Sequence, residues 1–337
     1  MSISNTFSPA PSAVSGQGSS VSNREDLTDV LTILAPEETP VLSSASKQRA
    51  SSTFVEWTVD GLADVSTAGV AEGSDVTAFT DKFASRARLG NYIQKFRRDY
   101  LVSDLQEAVD SVGPAKVAQA EAKAIRELKR DVEATLISDE EMTVENGAGT
   151  AYGLRGLGKW IQNGAQATNP VPSDYRTPSD SIHAPGSGAF TEGNLNELIT
   201  SIFRVSGNTE SLTLVADTAL RRKVSDFART GFEGNAANAG VRSVNYNGNE
   251  AQITLSVEMY QSDHGMVSIV NMNPDCSPDT TNKNAGYLIN PEYFGVSELI
   301  PMGSTRLPNL GAGERGYVDC ALTSLVYHPG AHGKIRN

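Results

Sequence analysis

Apolar positions along this chain change their period several times, and each change marks an element. In "TFVEWTV", Phe54, Glu56 and Thr58 fall on one side and Val55, Trp57 and Val59 on the other, which predicts a strand. "ARLGNYIQKF" predicts the strand that returns. Between them lie about twenty residues dominated by Ala, Gly, Ser, Thr, Asp and Val, a length uncommon inside a compact domain unless the loop acts outside it. Further on, Val117, Ala120, Ala124, Leu128, Val132 and Leu136 recur at three- and four-residue steps. That spacing puts one narrow apolar stripe on a long helix, opened by Pro114 and running over 114–138, supported along a single side. Lys123 with Glu127, and Lys129 with Glu133, are spaced to pair across one turn.

Shorter signals fill in the rest. Ser22 and Glu25 have capping-box spacing, and Leu27, Val30, Leu31 and Leu34 form one face of a short helix that Pro36 stops. Ser103 and Gln106 repeat the capping pattern, with Gly113 as a stop. In "GLRGLGKWI", Leu157, Trp160 and Ile161 are anchors inside a loop-rich stretch. "NLNELITSIFRVSG" predicts an amphipathic helix, "SLTLVA" a strand, and Asp217 a cap for "TALRRKVSDFA". Gly and Asn crowd 231–249 into a mobile loop, and "SDHG" joins two strands as a hairpin turn. Later strands come from "GYLINPEYFGVSEL" and "GYVDCALTSLVYHPGAHGKI". Strands, one long helix, then mixed helices and strands predict an α+β chain without a doubly wound rhythm.

Composition narrows the function. The net charge of −12, from 28 basic and 40 acidic residues, argues against a general nucleic-acid surface. The two cysteines, Cys276 and Cys320, have no zinc-type spacing and are expected as buried thiols in a reducing compartment. No apolar run suits a membrane span. The start, rich in Ser, Ala, Gly and Pro with no charge before Arg24, lacks the features of a secretory signal and is expected to be a flexible arm.

Chemistry is sparse. His328 and His332 have the separation of two helical metal ligands, but Pro329 and Gly330 stand between them and remove the helix. The glycines of "GLRGLGKW" lack the P-loop ending, and no nucleophile elbow or base–nucleophile pair is present. No catalytic, cofactor or metal site is expected.

Four stretches then carry a resemblance: "PEETPVLSSASKQRASSTFVEWTVDGL", "EAKAIRELKRDVEATL", "GLRGLGKWI" and the ending "VDCALTSLVYHPGAHGKI". In this order they resemble the Hong Kong 97-type major capsid proteins of tailed bacteriophages, in the branch reading "TP…EW…D" and ending "NP.AHG.I". His328 stands where that ending usually has Asn. The resemblance implies an N-terminal arm with a short helix (1–48), an extended loop (49–98), a peripheral domain with the spine helix (99–191), an axial domain (192–300) and C-terminal strands completing both domains (301–337). It also implies a virion shell assembled in the bacterial cytoplasm around double-stranded DNA. The partners implied are copies of the chain in hexamers and pentamers, with scaffold, portal and decoration proteins beside them. DNA is expected to make no sequence-specific contact. Two rivals stand beside this: another self-assembling shell, tail or surface-layer protein, and a cytosolic enzyme with a scattered site.

Within the excursion, charge is segregated. Glu56 to Asp81 holds six acids and no base, and Lys82 to Arg98 holds six bases and no acid. Opposed limbs either neutralise each other along one hairpin or set the register on a neighbour. The expected inter-subunit contacts are Leu27, Val30, Leu31, Leu34, Glu56, Asp60, Asp75, Lys82, Arg86, Arg88, Lys95, Arg97 and Arg98. The founding member's covalent lysine–asparagine cross-link has residue types to match in Lys82, Asn309 and Glu314, but nothing in the sequence brings them together, and a non-covalent shell is expected.

Overall fold

The computed structural model describes residues 36–109, 116–147, 149–184, 188–247, 250–253, 258–311 and 313–336, with 231–243 excepted. The predicted helix carrying Leu27, Val30, Leu31 and Leu34 lies outside the described residues, as does most of the Gly- and Asn-rich stretch 231–249.

The chain enters through α1 (Pro40–Ser44) and β1 (Ser46–Arg49), then runs out along β2 (Phe54–Val59) and back along β3 (Ala87–Tyr92). β4 (Gln94–Val102) and α2 (Asp104–Ala108) lead to α3 (Lys116–Leu136), the long helix. Ser103 caps α2 as its spacing predicts, its side chain accepting from the Gln106 N–H. On α3, Ala124, Leu128, Val132 and Leu136 are buried, so the stripe read from the sequence is the face that packs.

That stripe lies on a four-stranded sheet ordered β1-β12-β13-β4, with β12 (Phe294–Leu307) and β13 (Glu314–Val326) as its long central pair. Phe96 and Tyr100 of β4, Val296 of β12, and Val318, Cys320 and Leu322 of β13 join α3 in one apolar core. Burial along β13 explains the layering. Residues 315–320 alternate between half-buried and buried, while 321–326 are all buried. The outer half of the sheet is therefore covered on one face only, and the inner half on both.

After α3 the chain makes α4 (Leu157–Trp160), whose Leu157 and Trp160 are fully buried together with Ile161. A second, six-stranded sheet follows, ordered β5-β14-β11-β6-β10-β9. Its strands are β5 (Ile182–His183), β6 (Ser211–Ala216), β9 (Met259–Ser262), β10 (Gly265–Asn271), β11 (Gly286–Ile289) and β14 (Gly333–Ile335). α5 (Glu192–Ser206) and α6 (Thr218–Thr230) cover one face through Leu195, Leu198, Ile202, Leu220 and Val224. Thr191 and Asn194 form a reciprocal capping box on α5, and Gly207 ends it at φ 69°, where a side chain would be strained. Asp217 accepts the Thr218 N–H at 2.6 Å at the head of α6. β9 and β10 pair with Ser262 opposite Gly265, which confirms the "SDHG" turn. β7 (Val244–Asn247) and β8 (Glu250–Ile253) form a separate ribbon.

The two sheets are joined at the end of α3. The Tyr287 hydroxyl donates to the Ile137 carbonyl at 2.6 Å, and Lys334 and Arg336 both reach Asp139. Both cations hold the Asp139 carboxyl below its usual range against the opposing effect of burial. His332 is buried behind this joint, its Nδ1 accepting the Asn290 N–H at 3.2 Å.

Three expectations need correction. The return strand is two strands broken at Ile93, because the chain turns there out of the β2 pairing and into the β13 pairing. The division expected after residue 300 falls inside β12, which continues to Leu307 through two bulges. Lys129 does not pair with Glu133: Glu133 is fully buried and accepts backbone N–H groups from α1.

Candidate functional site

The feature that stands out is the ribbon β2–β3 and the chain beyond it. Its register sets Phe54 opposite Tyr92, Trp57 opposite Leu89 and Val59 opposite Ala87. Gly90 is required there, since a Cβ would come within 2.6 Å of the Phe54 ring. Phe54 packs on Tyr92 at 4.5 Å between centroids, and Trp57 on Trp160 at 5.6 Å.

A buried polar clamp fixes the base. Asn91 donates to the Ser324 carbonyl at 3.2 Å and accepts the Arg155 N–H at 2.8 Å. Arg155, itself buried, pairs with Glu141 at 2.6 Å and lies over the Trp160 ring at 4.5 Å. Burial lowers the Arg155 pKa, and Glu141 opposes that. The "GLRGLGKWI" motif is thus the socket of the ribbon.

At the outer end sits a neck. Arg86 pairs with Asp60 at 2.7 Å, and Ser85 donates to the same carboxylate at 2.8 Å. The Arg86 and Ser85 hydrogen bonds hold Asp60 below its ordinary pKa. Tyr175, from the loop after α4, donates to the Ser85 carbonyl at 2.6 Å.

Beyond the neck, residues 62–83 form a strap without regular structure that is exposed along its length. Leu62, Val65, Val70, Val76, Phe79 and Phe83 project from it, Phe79 with 90% of its surface in solvent. Scattered exposed apolar residues are ordinary, but six in one strap, with a core beside them that they do not join, make a surface that calls for a partner.

Leu27, Val30, Leu31 and Leu34 lie outside the described residues, and the other expected contact residues divide into three groups. Glu56, Asp60, Arg86 and Arg88 lie on the ribbon and neck, with Arg88 reaching Glu56 at 3.6 Å. Asp75 and Lys82 lie on the strap and form no ion pair among the described residues. Lys95, Arg97 and Arg98 lie on β4, inside the four-stranded sheet. Lys95 pairs with Asp319 at 3.1 Å, Arg97 with Asp99 at 3.0 Å, and Arg98 with Asp131 of α3 at 2.5 Å. Three of the return limb's six bases are therefore engaged by acids of the chain's own four-stranded sheet and α3. Asn309 accepts the Gly311 N–H at 2.7 Å in the β12–β13 loop. Among the described residues no cluster of His, Cys, Asp and Glu fits a metal, both cysteines are free and buried, and no helix is long and apolar enough to cross a membrane.

Sequence comparison decides what kind of molecule carries this strap. The family model for the SU10 major capsid protein matches residues 13–337. The chain belongs to that family. It is a major capsid protein, a structural subunit of a phage virion shell and not an enzyme. Solved structures share its fold: the capsid of the cyanophage P-SCSP1u (TM-score 0.59, 13% identity, 98% of this chain and 98% of that one) and Mycobacterium phage Adephagia (0.59, 11%, 94% and 95%). The SrpI encapsulin complex of Synechococcus elongatus PCC 7942 matches as well (0.53, 12%, 94% and 92%). The fold is the α+β Hong Kong 97-like capsid fold over nearly the whole chain. Since an encapsulin shares it, fold alone leaves both shell types open, and the family match chooses the virion. No curated protein matches the chain in sequence.

Proposed function

We propose that this capsid protein builds the icosahedral shell of a tailed phage around double-stranded DNA, in hexamers and pentamers assembled in the bacterial cytoplasm. The reading assigns residues 54–92 as the extended loop and α3 as the spine of a peripheral domain built on the four-stranded sheet. The six-stranded sheet is the axial domain, and residues 1–48 are the N-terminal arm. The observation that carries it is the strap, six large apolar side chains projecting from a chain segment with no core of its own.

The strap's partner is a second copy of the chain, and the receiving surface is the uncovered face of the four-stranded sheet. There Lys95, Arg97 and Leu101 of β4 are exposed beside Arg315 and Tyr317 of β13. The strap offers Asp64, Glu72, Asp75 and Asp81 against a single base, Lys82. Lys95 and Arg97 are matched on that face by Asp319 and Asp99, so Arg315 is the base left to meet the acidic strap, and this opposite sign favours register over raw affinity. Scaffold, portal and decoration proteins are further partners on this reading, and an acidic subunit leaves packaged DNA free of specific contacts.

Deleting residues 64–81 is the direct test. The subunit should stay soluble and melt cooperatively, and negative-stain microscopy should find no closed shells. Closed shells from the deletion would sink the reading.

A further inference from the structure

α1 is five residues long, too short to hold itself. Its N-cap, Thr39, makes no side-chain cap bond, and Pro40 in the first turn has no N–H to offer. The first donors needing an acceptor are those of Val41 and Leu42, and a distant side chain takes both. Val41 N–H donates to Glu133 Oε1 at 2.9 Å and Leu42 N–H to Oε2 at 2.8 Å. Glu133 is fully buried in the last turn of α3.

Cations on the neighbouring elements are already engaged. Arg126 pairs with Glu37 at 3.0 Å, Arg130 with Asp275, and Arg98 with Asp131. Glu38 and Cys276 are the other titratable groups beside this seat, and the Cys276 thiol is raised by burial first and Glu133 second. Asn273 completes it, donating to the carbonyls of Pro36 at 3.3 Å and Glu38 at 3.1 Å. Val41 and Leu42 are buried in the α3 core, and β1 begins two residues after α1 ends. Everything that seats residues 36–45 thus converges on one carboxylate and its surroundings.

We propose that Glu133 is a latch: by holding both leading N–H groups of α1 it seats residues 36–45 on α3. This goes beyond the shell reading and does not depend on the strap. Glu133 acts as a positioning residue. Two acceptor oxygens are needed, so glutamine, which keeps the volume but turns an amide N–H₂ toward one donor, should fail where a merely space-filling residue would succeed.

Amide hydrogen exchange on the full chain reads the latch directly. In the parent, the Val41 and Leu42 amides should be protected. In Glu133→Gln they should exchange at least about tenfold faster at about pH 8, where Glu133 is ionised, the loss expected for hydrogen bonds to a charged group. Amides of Val318 to Leu322 should keep their parent rates, proteolysis before Val41 should quicken, and assembled particles should become irregular in microscopy. Glu133→Ala should do the same more strongly; if it does not fold, the glutamine variant carries the test. Free exchange of Val41 and Leu42 in the parent, or unchanged exchange and regular particles in Glu133→Gln, would overturn the proposal.

Discussion

The ribbon and the strap are one excursion of the chain, yet they obey different physics. Along the ribbon, Trp57 packs on Trp160, Leu89 is buried at 2% exposure and Asn91 is wholly enclosed. Past Asp60 and Arg86 the apolar residues are as numerous, and they lie in solvent. The difference is whether the surface that covers them belongs to the same chain. A ribbon with a socket is part of the monomer's fold; a strap without one is the unfinished half of an interface.

A pair of substitutions should separate the two most sharply. Leu89→Ala removes buried side-chain volume from the anchored half and should cost the subunit about 2–5 kcal/mol, read by denaturant unfolding. Phe79→Asp, on the strap, should leave that unfolding curve within about 0.5 kcal/mol of the parent, as exposed positions do. Its effect should appear only in assembly, as loss of closed shells. A strap variant that destabilises the monomer, or a shell that tolerates it, breaks the comparison.

How far the sequence anticipates this division depends on the kind of signal. The α3 stripe and the Leu157, Trp160 and Ile161 anchors were legible because apolar burial repeats with the period of its element. The strap was legible through length and composition. Glu133, Asn91, Arg155 and Tyr175 were not. Each is a single polar residue whose partner lies far away in sequence, as Val41 is 92 positions from Glu133. One signal was available for Glu133: it sits beside Val132 on the edge of the stripe, where a carboxylate needs a reason to be. The break at Ile93 hid because β3 and β4 share one uninterrupted strand pattern, and only their partners differ. The charge segregation was legible, but not the acids of the sheet and of α3 that Lys95, Arg97 and Arg98 meet.

Acid should act on the anchored body through groups the strap lacks. Burial lowers His332 to about 4 from 6.5, and lowers His328, which stands edge-on to Tyr175 beneath the neck. A histidine with a depressed folded pKa contributes stability that is complete above its unfolded value and is lost as pH falls through 6.5 toward the folded value. Glu133 has the opposite sign. Burial, opposed by its two backbone hydrogen bonds, raises it to about 7 from 4.5, so the folded subunit binds that proton more tightly and gains stability as pH falls between those values. Glu133 therefore offsets one of the two histidines over much of the mildly acidic range. Glu133→Gln removes that offset. Stability between pH 6.5 and 5, followed by thermal melts, should therefore fall more steeply in the variant than in the parent, by up to about 1.4 kcal/mol per pH unit. Equal slopes in the two proteins would show that these groups do not titrate as their surroundings dictate.

The boundary between ribbon and strap rests on a small effect. Asp60 and Arg86 form an exposed pair that salt screens, so that pair alone marks the neck weakly. The Tyr175 hydroxyl, donating to Ser85 from the body of the subunit, is the firmer mark. Tyr175→Phe keeps the ring, its edge-on contact with His328 and its burial, and removes that one bond. The loss should be about 0.5–1.5 kcal/mol and purely local, because the Ser85 carbonyl can turn to water once released. Amides at Val59 and Ala87, the last pair of the ribbon, should then exchange about two- to tenfold faster, while Leu89 and Asn91 and the melting temperature stay as they were. If the acceleration spreads inward to Leu89, the ribbon is held from its tip and not from its socket. If Val59 and Ala87 do not respond at all, the neck lies further in, and the strap begins before Asp60.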